Sequence, residues 1–335
     1  MKKSLKQVLS VVLVVLFALF CFGCKKNEET KLKIGILQPV EHDALGAARQ
    51  GFIDALKEAG YEDGKNVEIT YANANGVESD LVTLAKSLIS KSDLTLGIGT
   101  GASVALQSAQ VNSGSKKPII FTAVTDAVDA GLVKSNAAPG GYITGSSDAN
   151  PVEAQIDLIK ECLPDADKIG ILYTQSETNS EVQANQAEAQ AKAAGLEVVR
   201  MTCTDTTDLP QVAERLCSTE GIDAIYVPTD NLIAANMATV KAALEKYHVL
   251  CVTGEEGLMT AGGHVTLSID YYELGKKAGK VAAQILKGEA DPATTPVQTM
   301  SLEECKYLMC STNLAAAGIT ISDSVKEKCT DVEAK

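Results

Sequence analysis

Short β-branched runs alternate with amphipathic helical patterns along almost the whole chain, and few folds accept that order. Lys33–Leu37 (KIGIL), Val67–Tyr71, Leu94–Ile98 and Ile119–Thr122 read as strands. Between them Ala47–Ala59, Leu81–Leu88 and Ser103–Ala109 read as helices. In the first, Phe52, Ile53, Leu56 and Ala59 share one face and Gly60 ends it. Strand–helix–strand repetition implies a parallel sheet with helices on both faces.

The pattern then recurs. Ile169–Tyr173, Glu181–Ala194, Glu197–Met201, Leu209–Cys217, Ala224–Val227, Asn231–Tyr247 and Leu250–Thr253 form a second series. The helix endings rhyme as well: Ala59-Gly60-Tyr61 precedes Val67-Glu68-Ile69, and Ala194-Gly195-Leu196 precedes Glu197-Val198-Val199. An α/β protein of two Rossmann-like lobes with parallel sheets is expected, since a chain of this length exceeds the ~250–300 residues one core serves. Gly140–Ser147 (GGYITGSS) reads as the crossover between lobes. Past Gly263 an alternating strand (His264–Asp270) and a helix (Tyr272–Leu286) follow, then weaker elements at Leu302–Met309 and Leu314–Ile321. A second crossover near Asp270 assigns residues 32–146 with about 270–300 to lobe one, and 147–269 with about 301–325 to lobe two.

The start of the chain is of another kind. Lys2-Lys3, an apolar run from Val8 to Phe22 and then Gly23-Cys24 have the layout of a secretory signal. A cysteine after a small residue resembles a bacterial lipobox, although Cys21 and Phe22 stand where a leucine and a small residue are usual. The resemblance implies removal of residues 1–23, lipidation of Cys24, and a body held on the extracytoplasmic face of the cell membrane. An uncleaved anchor is the other reading. Residues 24–31 then form a solvated tether with almost nothing apolar to pack.

The formal net charge is −13, and removing Lys2, Lys3 and Lys6 with the signal makes it more negative. Such a surface repels phosphate backbones, and with no Trp there is little to stack on bases, so nucleic acid is not an expected partner. Seven cysteines follow Cys24: 162, 203, 217, 251, 305, 310 and 329. None has zinc-ligand spacing with a second pair. Cys251 continues an apolar run and reads as a buried thiol. Cys203–Cys217 and Cys305–Cys310 are candidate bridges in an oxidising compartment.

Open parallel sheets bind ligands at the carboxyl ends of their strands, and here those ends are polar in both series. The first runs into Gln38 and His42. The third meets Thr100, Gly101 and Ser103. The fourth meets Thr122, Ala123 and Asp126. In the second series Tyr173 leads to Glu177, Asn179 and Ser180, then Asp230 and Asn231 follow Tyr226-Val227-Pro228-Thr229, and Glu255 follows Val252-Thr253-Gly254. Asp270 closes the last strand.

Several strings together, KIGILQPVEH, ARQGFIDALKEAGY, FTAVTDAVDAGLVKS, PGGYITGSSD, AIYVPTDN and IDYYELGKKAGK, resemble the ABC-transporter substrate-binding lipoproteins of the TrpX-like (ABC_sub_bind) family. The likeness spans Lys31 to about Ile321. It implies a type I periplasmic-binding-protein fold with a hinged cleft. It also implies an amino acid ligand, typically aromatic, delivered by a monomer to an ABC permease and its ATPase. A free amino acid suits the strand ends. Its carboxylate wants backbone N–H groups and hydroxyls, which Gly99–Ser103 and Thr122-Ala123 offer. Its ammonium wants a carboxylate. Asp230 is the first choice, although it could also cap the next helix. Gln38, His42, Tyr173 and Glu177 are candidates for the side-chain pocket. Tyr271 and Tyr272 read as hinge packing.

Other functions have weaker signals. GIGTGA resembles a dinucleotide turn but lies on the third strand with no acid about 20 residues on. No catalytic signature joins His42, His248 and His264, so no enzyme, cofactor or metal is expected. A nucleoside is the rival ligand, and five Phe with no Trp offer it little stacking. A ligand sensor docking on a membrane receptor is a third possibility.

Overall fold

The computed structural model describes residues 31–335, so the signal, Cys24 and most of the tether lie outside the described residues. Two sheets organise the remainder. The first has the order β2-β1-β3-β4-β5, with β1 Leu32–Gln38, β2 Val67–Asn73, β3 Leu94–Ile98, β4 Ile119–Val124 and β5 Ile143–Ser147, all parallel. The second has the order β12-β11-β10-β9-β8-β6-β7. Its strands are β6 Lys168–Thr174, β7 Glu197–Cys203, β8 Ala224–Val227, β9 Leu250–Thr253, β10 Val265–Ser268, β11 Lys306–Met309 and β12 Thr330–Asp331. β11 runs antiparallel to β10; the other pairs are parallel.

Helices cover both faces of each sheet, and each sheet has an apolar cluster on either side. Ile34, Ile36, Leu94 and Leu96 pack on one face of the first sheet, Leu37, Ile119 and Phe121 on the other. Ile169, Ile171 and Val252 face one side of the second sheet, Leu172, Ile225 and Val227 the other. Continuous rather than alternating burial along β3, β4 and β8 is what a doubly covered parallel strand requires.

The chain passes between the lobes three times. It leaves the first sheet after Ser147. It returns after β10, when α10 (Tyr271–Leu286) packs on α1 (Asp43–Glu58) and on β4 and β5. It leaves again beyond Gln298, which bridges to Ser146. Two glycines permit the α1–α10 approach. A Cβ on Gly51 would lie 2.0 Å from the Tyr272 carbonyl oxygen, and one on Gly275 2.0 Å from that of Ala48. Ser146 Oγ, donating to Leu274 O at 3.1 Å, ties the crossover to the same helix.

Three expectations need correction. The long helix Asn231–Tyr247 is two helices, α7 (Asn231–Ala235) and α8 (Met237–Tyr247), because Asn236 leaves helical geometry and its amide donates to Leu232 O. Leu314–Ile321 is replaced by α11 (Ser311–Ala317) and α12 (Asp323–Lys328). Neither candidate disulfide forms, and all seven described cysteines are free thiols. Cys305 and Cys310 flank the extended β11, so their Cα atoms lie roughly 16 Å apart at ~3.3 Å per residue, where a bridge needs less than ~7 Å. Cys203 ends β7, while Cys217 sits at the far end of α6 (Leu209–Cys217). Cys251 is fully buried in β9, as expected.

Candidate functional site

The carboxyl ends of the two sheets face each other across a small cavity lined by residues of both.

From the first lobe, β1 ends at Gln38 and the chain turns through His42 into α1. Ala44 and Leu45 of the first turn of α1 line the cavity, and no side chain caps this helix. The first N–H groups of a helix have no intrahelical partner and carry its positive dipole end, so this turn favours an anion. β4 ends in a register shift, where Ala123 takes φ +55°, a left-handed conformation costing a non-glycine residue about 1–3 kcal/mol. Ala123 and Thr125 line the cavity there. β5 delivers Asp148, which is 4 % exposed. Tyr271 Oη donates to its Oδ2 at 2.9 Å and Thr125 Oγ1 to its Oδ1 at 3.2 Å. Burial pushes this carboxyl up to about 6. No lining residue is Lys or Arg.

From the second lobe come Asn179, Thr229, Asp230, Asn231, Ala234 and Glu255. Here helix ends are occupied by acids. Asp230 accepts from Thr174 N–H at 2.7 Å, Thr174 Oγ1 at 2.8 Å and Ile233 N–H at 2.9 Å. Glu255 caps α9 (Glu256–Ala261) by accepting from Gly257 and Leu258 N–H. Glu177 accepts from Asn231 and Leu232 N–H at 3.0 and 2.9 Å. α5 (Thr178–Ala193) has no side-chain cap, and what it turns to the cavity is Asn179, whose amide donates to Thr229 O. Burial pushes Glu255 up to about 7 and Glu177 likewise, the latter also through the nearby Asp230 charge; burial raises Asp230 in turn.

The expected site residues divide accordingly. His42, Ala123, Asn179, Asp230, Asn231 and Glu255 line the cavity. The others do not. Gln38 is spent on Arg49, Val40 O and Glu41. Thr100 is buried in the first turn of α3 (Thr100–Ser113), Gly101 is exposed, and Ser103 Oγ donates back to Gly99 O. Thr122 Oγ1 donates to Ser146 Oγ, whose own proton goes to Leu274 O, and Asp126 accepts from Val128 and Asp129 N–H. Tyr173 Oη accepts from Arg200. Glu177 and Ser180 stand behind the wall, Ser180 beside Thr229 O. Asp270 caps α10 and pairs with Lys306. So the expected carboxylate site at Thr100 and Thr122 is absent from the lining, and Asp230 has the capping role that was its alternative.

The sequence reading missed Ala44, Leu45, Thr125, Asp148, Thr229, Ala234 and Tyr271. Asp148 had a usable signal: it follows the fifth strand end, but that stretch read as a linker. Tyr271 is not only hinge packing, since its hydroxyl holds Asp148 at the cavity.

The acids make the site pH-sensitive, with opposite signs for folding and binding. A carboxyl whose folded pKa is raised contributes stability that is fully present below its unfolded value and lost as pH rises through the folded one. Lowering the pH from about 8 to about 7, still above the ordinary histidine value of about 6.5, should therefore raise the melting temperature of the ligand-free protein, chiefly through Glu255 and Glu177 and less through Asp148. Below that, His42 and His264, both lowered by burial, act in the opposite sense. A cationic group binding at the acids needs them ionised, so its affinity should fall across the same window. Melting curves and calorimetry at the two pH values check both; a parallel trend would contradict the assignment.

A two-lobed α/β protein with three crossovers and a small cavity at opposed strand ends, lined from both lobes, is a solute-binding protein of the type I periplasmic class. Residues 33–333 match the family model described as ABC transporter substrate binding protein, and the chain belongs to that family. The chain is similar to a tyrosine-binding protein of Clostridioides difficile (strain R20291), 36% identical over 315 residues, covering 93% of this chain and 89% of that one. It is similar to the structure of an ABC domain in complex with L-Trp from Streptococcus pneumonia, with 36% identity, a TM-score of 0.83, and coverage of 90% of this chain and all of the other. A third relative is the ligand-free, open structure of a substrate-binding protein with adhesive properties from Clostridium difficile. Its identity is 35%, with coverage of 91% of this chain and 100% of that one, but its TM-score is 0.67. At nearly equal identity the present fold lies nearer the ligand-bound relative than the open one.

Proposed function

We propose that the protein captures a free amino acid with an aromatic side chain and hands it to an ABC permease with its ATPase. The observation that carries this reading is the pairing of opposite fields in one small cavity. The uncapped first turn of α1 and the strained turn at Ala123 offer N–H groups to a carboxylate. Asp148, anchored by Tyr271 and Thr125 and with no basic residue facing it, offers an acceptor to an ammonium. The tyrosine-binding relative and the L-Trp complex support the ligand class. A nucleoside fits less well, because Tyr271 is the single Phe, Tyr or Trp side chain in the lining.

Calorimetry of the mature protein against L-Trp, L-Tyr, L-Phe, nucleosides and sugars tests the reading. An amino acid at 100 times its Kd should add about 2.7 kcal/mol of stability. Binding of a nucleoside and none of the amino acids would overturn it.

The chain is read as anchored through lipid on Cys24 and working as a monomer on the extracytoplasmic face of the cell membrane. Its lobes, divided near Ser146 and Asp270, close on the ligand by hinge rotation. Cys24→Ala should abolish palmitate labelling and cleavage before that residue. Unchanged processing and labelling would rule the anchor out.

A further inference from the structure

We infer that His42 sets ligand selectivity: its Nδ1 accepts a hydrogen bond from a neutral donor on the ligand side chain, so that a phenol or an indole is preferred to a bare phenyl ring. The inference rests on the amino acid reading above and deepens it.

The argument starts across the cleft. Asn231 Nδ2 donates to Glu177 Oε2 at 2.7 Å, and the Asn231 backbone N–H donates to the same oxygen at 3.0 Å. Ionised Glu177 only accepts, and in that form it takes the amide nitrogen of Asn231 and leaves Oδ1 facing the first lobe. His42 Nε2 lies 3.1 Å from that Oδ1. An amide oxygen cannot donate, so Nε2 carries the proton. Burial lowers the pKa of His42 and keeps the ring neutral. Nδ1 is then a bare lone pair, and it is buried at the cavity with no hydrogen-bond partner.

The other lining side chains cannot satisfy it. Thr125 and Tyr271 are spent on Asp148, Asn179 on Thr229 O, and Thr229 on Gln183. The donor comes from the ligand. Its ammonium is the less suitable candidate, because Asp148, Asp230 and Glu255 already surround the cavity with carboxylates, which hold a cation better than a neutral imidazole does. What remains is a neutral O–H or N–H on the ligand side chain. A buried acceptor left unpaired by a smaller analogue costs affinity, and sites built to bond a hydroxyl reject ligands that lack it.

Calorimetry with L-Tyr, L-Trp and L-Phe on wild type, His42→Gln and His42→Asn tests the inference. Wild type should bind tyrosine or tryptophan roughly ten- to a hundredfold more tightly than phenylalanine. A glutamine can reach Asn231 as Nε2 does but places nothing at the Nδ1 position, so the preference should collapse to about twofold or less. An asparagine keeps an acceptor near Nδ1 and should preserve more of the ratio. A purely structural histidine would change all three affinities together and leave the ratio intact, which would overturn the inference. Equal affinity of wild type for the three amino acids would also overturn it while leaving the amino acid reading standing. Binding of none of them would remove both.

Discussion

Asp148→Asn is expected to weaken amino acid binding by roughly ten- to a hundredfold, while the ligand-free protein melts at or above the wild-type temperature. A buried hydrogen bond to a charged group is worth about 1.5–3 kcal/mol, and every ~1.4 kcal/mol is a factor of ten in Kd. Asparagine keeps the shape of the side chain and an oxygen for Tyr271 or Thr125, whose hydroxyls now bond Asp148. What it removes is the charge, which the ligand-free protein holds at a cost, since burial raises this carboxyl to about 6. Binding should therefore suffer and folding should not. Calorimetry and thermal melts near neutral pH read both quantities. An Asn variant that binds within twofold of wild type would take Asp148 out of ligand contact.

Asp230→Ala should behave in the opposite way and lower the stability of the ligand-free protein by about 3 kcal/mol. The loss of an N-cap costs about 0.5–2 kcal/mol, and each buried donor left unmade about 1–3 kcal/mol. Three donors, two from Thr174 and one from Ile233, converge on this carboxylate, which is 1 % exposed. Relief of the nearby Glu177 offsets part of the loss, which holds the net below the sum of the separate costs. Urea unfolding of the ligand-free variant measures it. If stability is unchanged and only binding falls, Asp230 serves the ligand as the sequence reading expected.

These two residues mark how far the sequence could be read. Both are acids at the carboxyl ends of strands, but the strand before Asp230 is apolar (Ala224–Val227), whereas the one before Asp148 is Ile143–Ser147 (ITGSS). Asp230 read as the stronger because it stands in a polar run before a helix, and that placement is what makes it a cap. Asp148 directly follows the stretch Gly140–Ser147 that read as a linker, and its partner Tyr271 lies 123 residues away. Thr100 and Ser103 misled for a related reason. A glycine-rich turn before a helix is a good anion site only if it faces the cavity. Here the turn that does so belongs to α1, whose start was placed at Ala47, four residues late, because its apolar stripe is clear only from Phe52 onward.

Local pattern by itself determined most of the alternation of strands and helices, the tandem of two α/β units and the family. Each of these follows from periodicity, from turn residues or from strings of neighbouring residues, all of which are written in consecutive positions. The owner of each carboxylate was decided only by the tertiary structure. A buried acid takes whichever donors folding brings within about 3 Å, and for Asp230 and Asp148 those come from elements 56 and 123 residues away. The bare nitrogen of His42 has the same origin. Its tautomer is dictated by Asn231, 189 residues on and across the cleft, and no stretch of neighbouring sequence records that contact.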